Sequence, residues 1–233
     1  MGAPDDAGTG KVRSSRLEII TNLAIIATLL FLLLNPSGIV GRWIGGQFAE
    51  TRERNAVTSL WSELTDSGNG RLGEKDVDVA EPIIVEFLDY QCPACRAIAP
   101  HVSKAMEDGS ASIVVRHLPL EEIHPIAREA AKAVVCAERQ GSFRAAHEAL
   151  MGDGDLVTRR DWLGMARIAD VGNLSQFAEC LEGQEADERV AGDLRMAEAL
   201  GISSTPTFVT PQGIFRGTGG FEAAMEGTLP KAN

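Results

Sequence analysis

Cys92 and Cys95 stand three positions apart, directly after the apolar run "PIIVEFL" and at the start of a stretch with helical periodicity. C-x-x-C spacing suits a redox couple, half of a tetrahedral zinc site or a structural bridge, and each needs a different fold around it. A cysteine at a helix N-terminus faces unpaired backbone N–H groups and the positive end of the helix dipole, which favour thiolate over thiol. Cys92 occupies that position. Pro93 fits the first turn, where a missing N–H costs nothing, and Cys95 lies about one turn on, within disulfide reach. Cys92 is therefore the candidate exposed nucleophile, Cys95 the candidate resolving thiol, and Pro93 with Ala94 the active-site loop between them. A zinc site requires a second pair, whereas Cys136 and Cys180 are single and neither has a histidine at ligand spacing. No metal is expected.

The run from Pro82 to Tyr90 reads as a strand apolar on both faces, the residues from Cys92 to Gly109 as a helix, and "SIVVRHL" as a second strand. Strand, helix, strand predicts a parallel pair. From Ile123 to Leu200, Ala, Glu and Arg recur with helical period in four or five segments without an intervening strand. Strands return at "TPTFVT" and "GIFRG" across the turn "PQG", and a short helical stretch follows from Gly220. The pattern predicts an α/β domain over residues 81–233, its sheet drawn from both ends of that range, with a helical insertion over residues 123–200. "GTGG", Gly217–Gly220, is a turn and not a phosphate cradle, because no G-x-x-x-x-G-K-[ST] pattern surrounds it. His101, His117, His124 and His147 carry no ligand or triad spacing and read as structural.

The sequence before this domain has a different character. Leu17–Leu34 carries one charge, Glu18, and as a helix would span roughly 27 Å, enough to cross a bilayer. Lys11, Arg13 and Arg16 precede it and Arg42 follows, which places the N-terminus in the cytoplasm and the rest outside. "NPSGIVGRW" offers no A-x-A cleavage site, so the expectation is an uncleaved signal-anchor. Residues 1–16 are then a cytoplasmic tail, 17–34 a single transmembrane helix in contact with lipid, and 35–80 a linker. Within that linker Val57, Leu60, Trp61 and Leu64 share one helical face, predicting a short juxtamembrane helix that packs on the domain. All four cysteines lie beyond the anchor, in a compartment where disulfides persist. The net charge of -11 excludes a nucleic-acid surface and fits a soluble extracytoplasmic domain.

Three stretches together, "IIVEFLDYQCPACR", "HPIAREAAKAVVCAERQGSFRAAHEAL" after "HLPL", and "ALGISSTPTFV", resemble the DsbA-like branch of the thioredoxin superfamily, over about residues 80–226. The resemblance implies a thioredoxin-like fold with an inserted helical domain, here preceded by the N-terminal transmembrane helix, and a periplasmic thiol-disulfide oxidoreductase without cofactor. It makes Cys92 the nucleophile, Cys95 the resolving cysteine, and Thr205 with a cis Pro206 the loop that docks extended substrate. Glu86 matches the buried acid that moves a proton at the second thiol, and apolar surroundings would raise its pKa. Ala94 departs from the histidine of the most oxidising members, which predicts an intermediate potential. The resemblance favours a structural disulfide between Cys136 and Cys180 over a second redox pair or two free thiols. It implies exported cysteine-containing polypeptides as substrates and a membrane oxidase of the DsbB or vitamin K epoxide reductase type as redox partner. A reductase or isomerase fed by a membrane donor, and a copper-binding chaperone, are the alternative readings.

Overall fold

The computed structural model describes residues 16–35, 39–66, 71–72 and 82–227. The expected cytoplasmic tail, Arg16 apart, lies outside the described residues. In chain order the elements are α1 (Arg16–Leu34), α2 (Ile39–Leu64), β1 (Arg71–Leu72), β2 (Ile83–Leu88), α3 (Pro93–Glu107), β3 (Ser112–His117), α4 (Ala127–Glu138), α5 (Phe143–Gly152), α6 (Gly154–Thr158), α7 (Trp162–Ile168), α8 (Leu174–Glu182), α9 (Gln184–Ala199), β4 (Thr207–Thr210), β5 (Gly213–Arg216) and α10 (Gly220–Met225). Two compact units, Met1–Thr51 and Arg52–Asn233, divide the chain within α2.

In the first unit, α1 coincides with the apolar run, and its side chains from Ile19 to Leu32, such as Leu23, Ile26, Leu29 and Phe31, are exposed. Trp43 and Phe48 of α2 are exposed as well. Among the described residues no helix is long and apolar enough to cross a membrane. α1 is a helix at the expected anchor. The fold also lengthens the expected juxtamembrane helix, which starts at Ile39 and runs through Gly45 and Gly46, residues that each weaken a helix by about 1 kcal/mol relative to Ala.

The second unit is built on a mixed sheet of order β1-β3-β2-β4-β5. β2 and β3 are parallel, as strand, helix, strand requires, whereas β4 and β5 return antiparallel beside β2. β2 buries both of its faces. Ile84 and Leu88 join the core under α3, α4 and α5, while Val85 and Phe87 join a second core with Val57 and Leu64 of α2 and Met196 and Ala197 of α9. The apolar face of α2 thus covers one side of the sheet. Six helices, α4 to α9, separate β3 from β4, α6 being a single short turn that periodicity alone does not reveal.

One buried cation fixes how α2 meets that sheet. Arg116 on β3 is fully buried, and its guanidinium donates to the carbonyls of Leu64 at 2.8 Å and Glu63, both at the end of α2. These are the carbonyls that a helix C-terminus leaves without intrahelical partners. The same guanidinium reaches Asp193 of α9 at 3.3 Å, and Asp193 in turn accepts the His117 N–H at 2.9 Å and a bond from Arg189. Removing one member of such a set leaves a buried charge uncompensated. Arg116→Met is therefore expected to cost about 3–5 kcal/mol in urea unfolding, whereas Arg144→Ala, which breaks the exposed pair with Glu148, should cost under about 1 kcal/mol. Equal losses for the two variants would contradict this account.

Candidate active site

Past the end of β2 the chain turns through Asp89, Tyr90 and Gln91 into Cys92, the N-cap of α3. Cys92 is extended (φ -73°, ψ 121°), its carbonyl accepts the first helical bond from the Arg96 N–H at 3.2 Å, and its own N–H donates to Asp89 O at 3.0 Å. Pro93 takes the first helical position. Cys92 is 6% exposed, Cys95 is fully buried, and both carry free thiols.

The second half of the site arrives with β4. Its antiparallel register on β2 pairs Glu86 with Phe208 and Phe87 with Thr207, which brings the preceding Thr205–Pro206 segment beside the thiols. That peptide bond is cis. Cys92 Sγ donates to Thr205 O at 3.6 Å across 113 positions of sequence. Pro206 O accepts the N–H of Gly217, a residue whose φ of 77° favours glycine, so the "GTGG" turn supports the loop. The Thr205 hydroxyl oxygen is buried and lacks a hydrogen-bond partner among the described residues.

The two thiols are electrostatically unlike. Cys92 is pulled down to about 5, first by the hydrogen bond from the Cys95 thiol, against the cost of burial, and then by the backbone N–H groups of Cys95 and Ala94. Cys95 is pushed far up by its part in that same bond and by burial. A reactive thiolate therefore sits over a protonated partner. Glu86 is buried on the face of β2 that also carries Ile84 and Leu88, and burial pushes its carboxyl up to about 8. Cys136 and Cys180 are bonded to each other, joining α4 to α8 with a Cα–Cα distance of 5.7 Å.

Sequence reading missed several neighbours of the thiols. Asp89, buried, accepts from the N–H groups of Gln91 (2.7 Å) and Leu120 (2.9 Å) and pairs with His124 Nδ1 at 2.8 Å. A carboxylate two positions before a turn amide is an Asx motif, a signal present in "DYQC". Arg96 donates to Tyr90 O at 2.7 Å. Tyr90 Oη lies 3.2 Å from His147 Nδ1 and its ring packs on His117. Both imidazoles are buried, which holds each down to about 3 and therefore neutral. His101 alone of the four histidines is exposed.

A family model described as Thioredoxin matches residues 70–225. The fold aligns with the thiol-disulfide exchange protein alpha-DsbA2 from Wolbachia pipientis at a TM-score of 0.62 and 16% identity, covering 76% of this chain and 96% of that one. It aligns with a thioredoxin-like oxidoreductase from Silicibacter pomeroyi at 0.59 and 28% identity, covering 71% and 95%. A stretch of 126 residues, 54% of this chain, is 36% identical to the Na(+)/H(+) antiporter NhaA 3 of Salinispora tropica, of which it covers 19%. The chain thus spans about a fifth of the curated relative it matches.

The raised pKa of Glu86 has a consequence for stability. An acid that binds its proton more tightly when folded loses folded-state stability as pH rises from its unfolded value, 4.5, to its folded value, about 8. Glu86→Gln, neutral throughout, should gain on the parent across that window. Urea unfolding of both at pH 5 and pH 8 checks it: the gap is expected to widen with pH, and parallel curves would show Glu86 ionised in the fold.

Proposed function

The chain belongs to the thioredoxin family, and from that premise we propose that it is a protein thiol-disulfide oxidoreductase that forms disulfides in exported, cysteine-containing polypeptides. The observation that carries this reading is the asymmetry of the thiol pair. A Cys92 thiolate held at the N-terminus of α3 and facing Thr205, beside a buried, protonated Cys95, suits exchange through a mixed disulfide at Cys92. Stabilising that thiolate stabilises the reduced enzyme, which favours oxidation of substrates. Ala94, without the charge of a histidine, argues for a potential short of the most oxidising members.

In this mechanism a substrate thiolate attacks the Cys92 sulfur of the Cys92–Cys95 disulfide. The substrate–Cys92 bond forms, the Cys92–Cys95 bond breaks, and Cys95 leaves as a thiolate that takes a proton from Glu86. A second substrate thiolate then attacks the substrate sulfur of the mixed disulfide and expels Cys92. Substrate leaves oxidised, and the enzyme holds its two electrons as a dithiol. Thr205 and Pro206 pair with the extended substrate backbone during both steps. A membrane oxidase of the DsbB or vitamin K epoxide reductase type restores the disulfide. The Cys136–Cys180 bond ties the helical insertion together: closing 44 positions is worth on the order of 4 kcal/mol in the chain-entropy model.

Residues 17–34 anchor this domain in the membrane with the N-terminus inside. Exposed apolar side chains along α1, and the basic residues before it, support the anchor.

Equilibration against glutathione tests the direction of electron flow. A potential near about -120 mV fits disulfide donation, and one near about -270 mV would instead make the protein a reductase. Cys95→Ser should accumulate a mixed disulfide at Cys92 when given a glutathionylated peptide, whose disulfide Cys92 attacks with loss of one thiolate, and Cys92→Ser should form none. Loss of exchange in neither variant would sink the reading.

A further inference from the structure

The main chain of Asp89 lies between the two thiols. Its carbonyl accepts the Cys92 N–H at 3.0 Å, and its N–H faces the Cys95 sulfur and favours the charged form there. The Asp89 main chain thus bonds both cysteines, and its side chain fastens it in place. One carboxylate oxygen takes the Gln91 N–H at 2.7 Å. The other takes the Leu120 N–H at 2.9 Å and His124 Nδ1 at 2.8 Å. Nδ1 is the donor in that contact, since a carboxylate only accepts. A second strap runs the same way, from the Ile126 N–H to Gln91 Oε1 at 3.0 Å. The loop that carries the nucleophile is thus fastened to the turn at residues 120–126, which leads into the helical insertion. The Asp89 side chain is fully buried and the imidazole 16% exposed, so little solvent competes for the bond. Arg96, anchored on Tyr90 O, also places its charge near Asp89.

Resting on the oxidoreductase reading above, we propose that His124 is a positioning residue for thiol exchange: by donating to Asp89 it holds the Asp89 main chain against Cys95 and sets the rate at which Cys95 attacks the mixed disulfide at Cys92. In that step the Cys95–Cys92 bond forms and the Cys92–substrate bond breaks. The Cys95 thiol gives up its proton, which Glu86 takes in molecules where its carboxyl is ionised, and the substrate departs as a thiolate. His124 touches none of the reacting atoms. It acts through Asp89, whose main chain bonds the Cys92 N–H and the Cys95 sulfur.

The test uses the full chain, reduced, with a glutathionylated peptide as probe, reading capture at Cys92 and release by Cys95 as separate phases. His124→Leu keeps the volume of the ring and removes the donor. Release should slow about tenfold, the scale of one hydrogen bond to a charged group, with the far-UV spectrum unchanged. His124→Gln, which restores a donor, should recover most of that rate. Release in His124→Leu at the parent rate, or equal slowing in both variants, overturns the proposal. Failure of the parent chain to capture the peptide would sink the oxidoreductase reading instead. Should His124→Leu not fold, the parent protein still decides: the His124 ring nitrogen shifts are expected to move between disulfide and dithiol forms, and identical shifts would refute the link.

Discussion

The register of β4 on β2 is the constraint on which the rest depends. Glu86 opposite Phe208 and Phe87 opposite Thr207 fix where the Thr205–Pro206 segment leaves the sheet, and hence that its carbonyl meets the Cys92 sulfur. A slip of one residue would turn Phe208 to the opposite face and carry Thr205 away from the thiols. The apolar pattern prevents it. Phe208 and Phe215 belong to the core under α3, and Val209 and Ile214 to the core on the other face, so each face of the two returning strands is locked by burial.

The two faces of the sheet treat buried charge in opposite ways. On the side of α2, Arg116 is surrounded by the Glu63 and Leu64 carbonyls and by Asp193, so its charge is answered at every donor group. On the side of α3, no cation is bonded to Glu86 among the described residues, and burial raises its pKa until it holds a proton near neutrality. The first arrangement gives a fixed joint. The second gives a group that can gain or lose a proton when a neighbouring sulfur changes charge.

Much of this was legible in the residues because it is local. Cysteine, proline and a following helical period mark the start of α3, and an unbroken apolar run marks β2 as buried on both sides. The long-range parts were not legible in the same way. Nothing in "SIVVRHL" says that its arginine ends a helix fifty residues earlier, since a cap supplied from another element leaves no local spacing. The two-residue β1 is too short for any periodicity. Asp89 and His124 lie 35 positions apart, and only the folded turn at 120–126 brings the imidazole to the carboxylate. The Asx pattern in "DYQC" announced the turn and not its distant partner.

The separation of the site's halves along the chain also bears on synthesis and export. A polypeptide emerging N-terminus first presents Cys92 and Cys95 long before Thr205, Pro206 and the strands that seat them. During that interval the helix N-terminus can already favour a thiolate, yet the Thr205–Pro206 segment that will lie beside it has not been made. Until then the four cysteines can meet one another, with Cys136 arriving before Cys180. Correct pairing in the nascent chain consequently depends on the helical insertion folding early enough to keep Cys136 from the reactive pair.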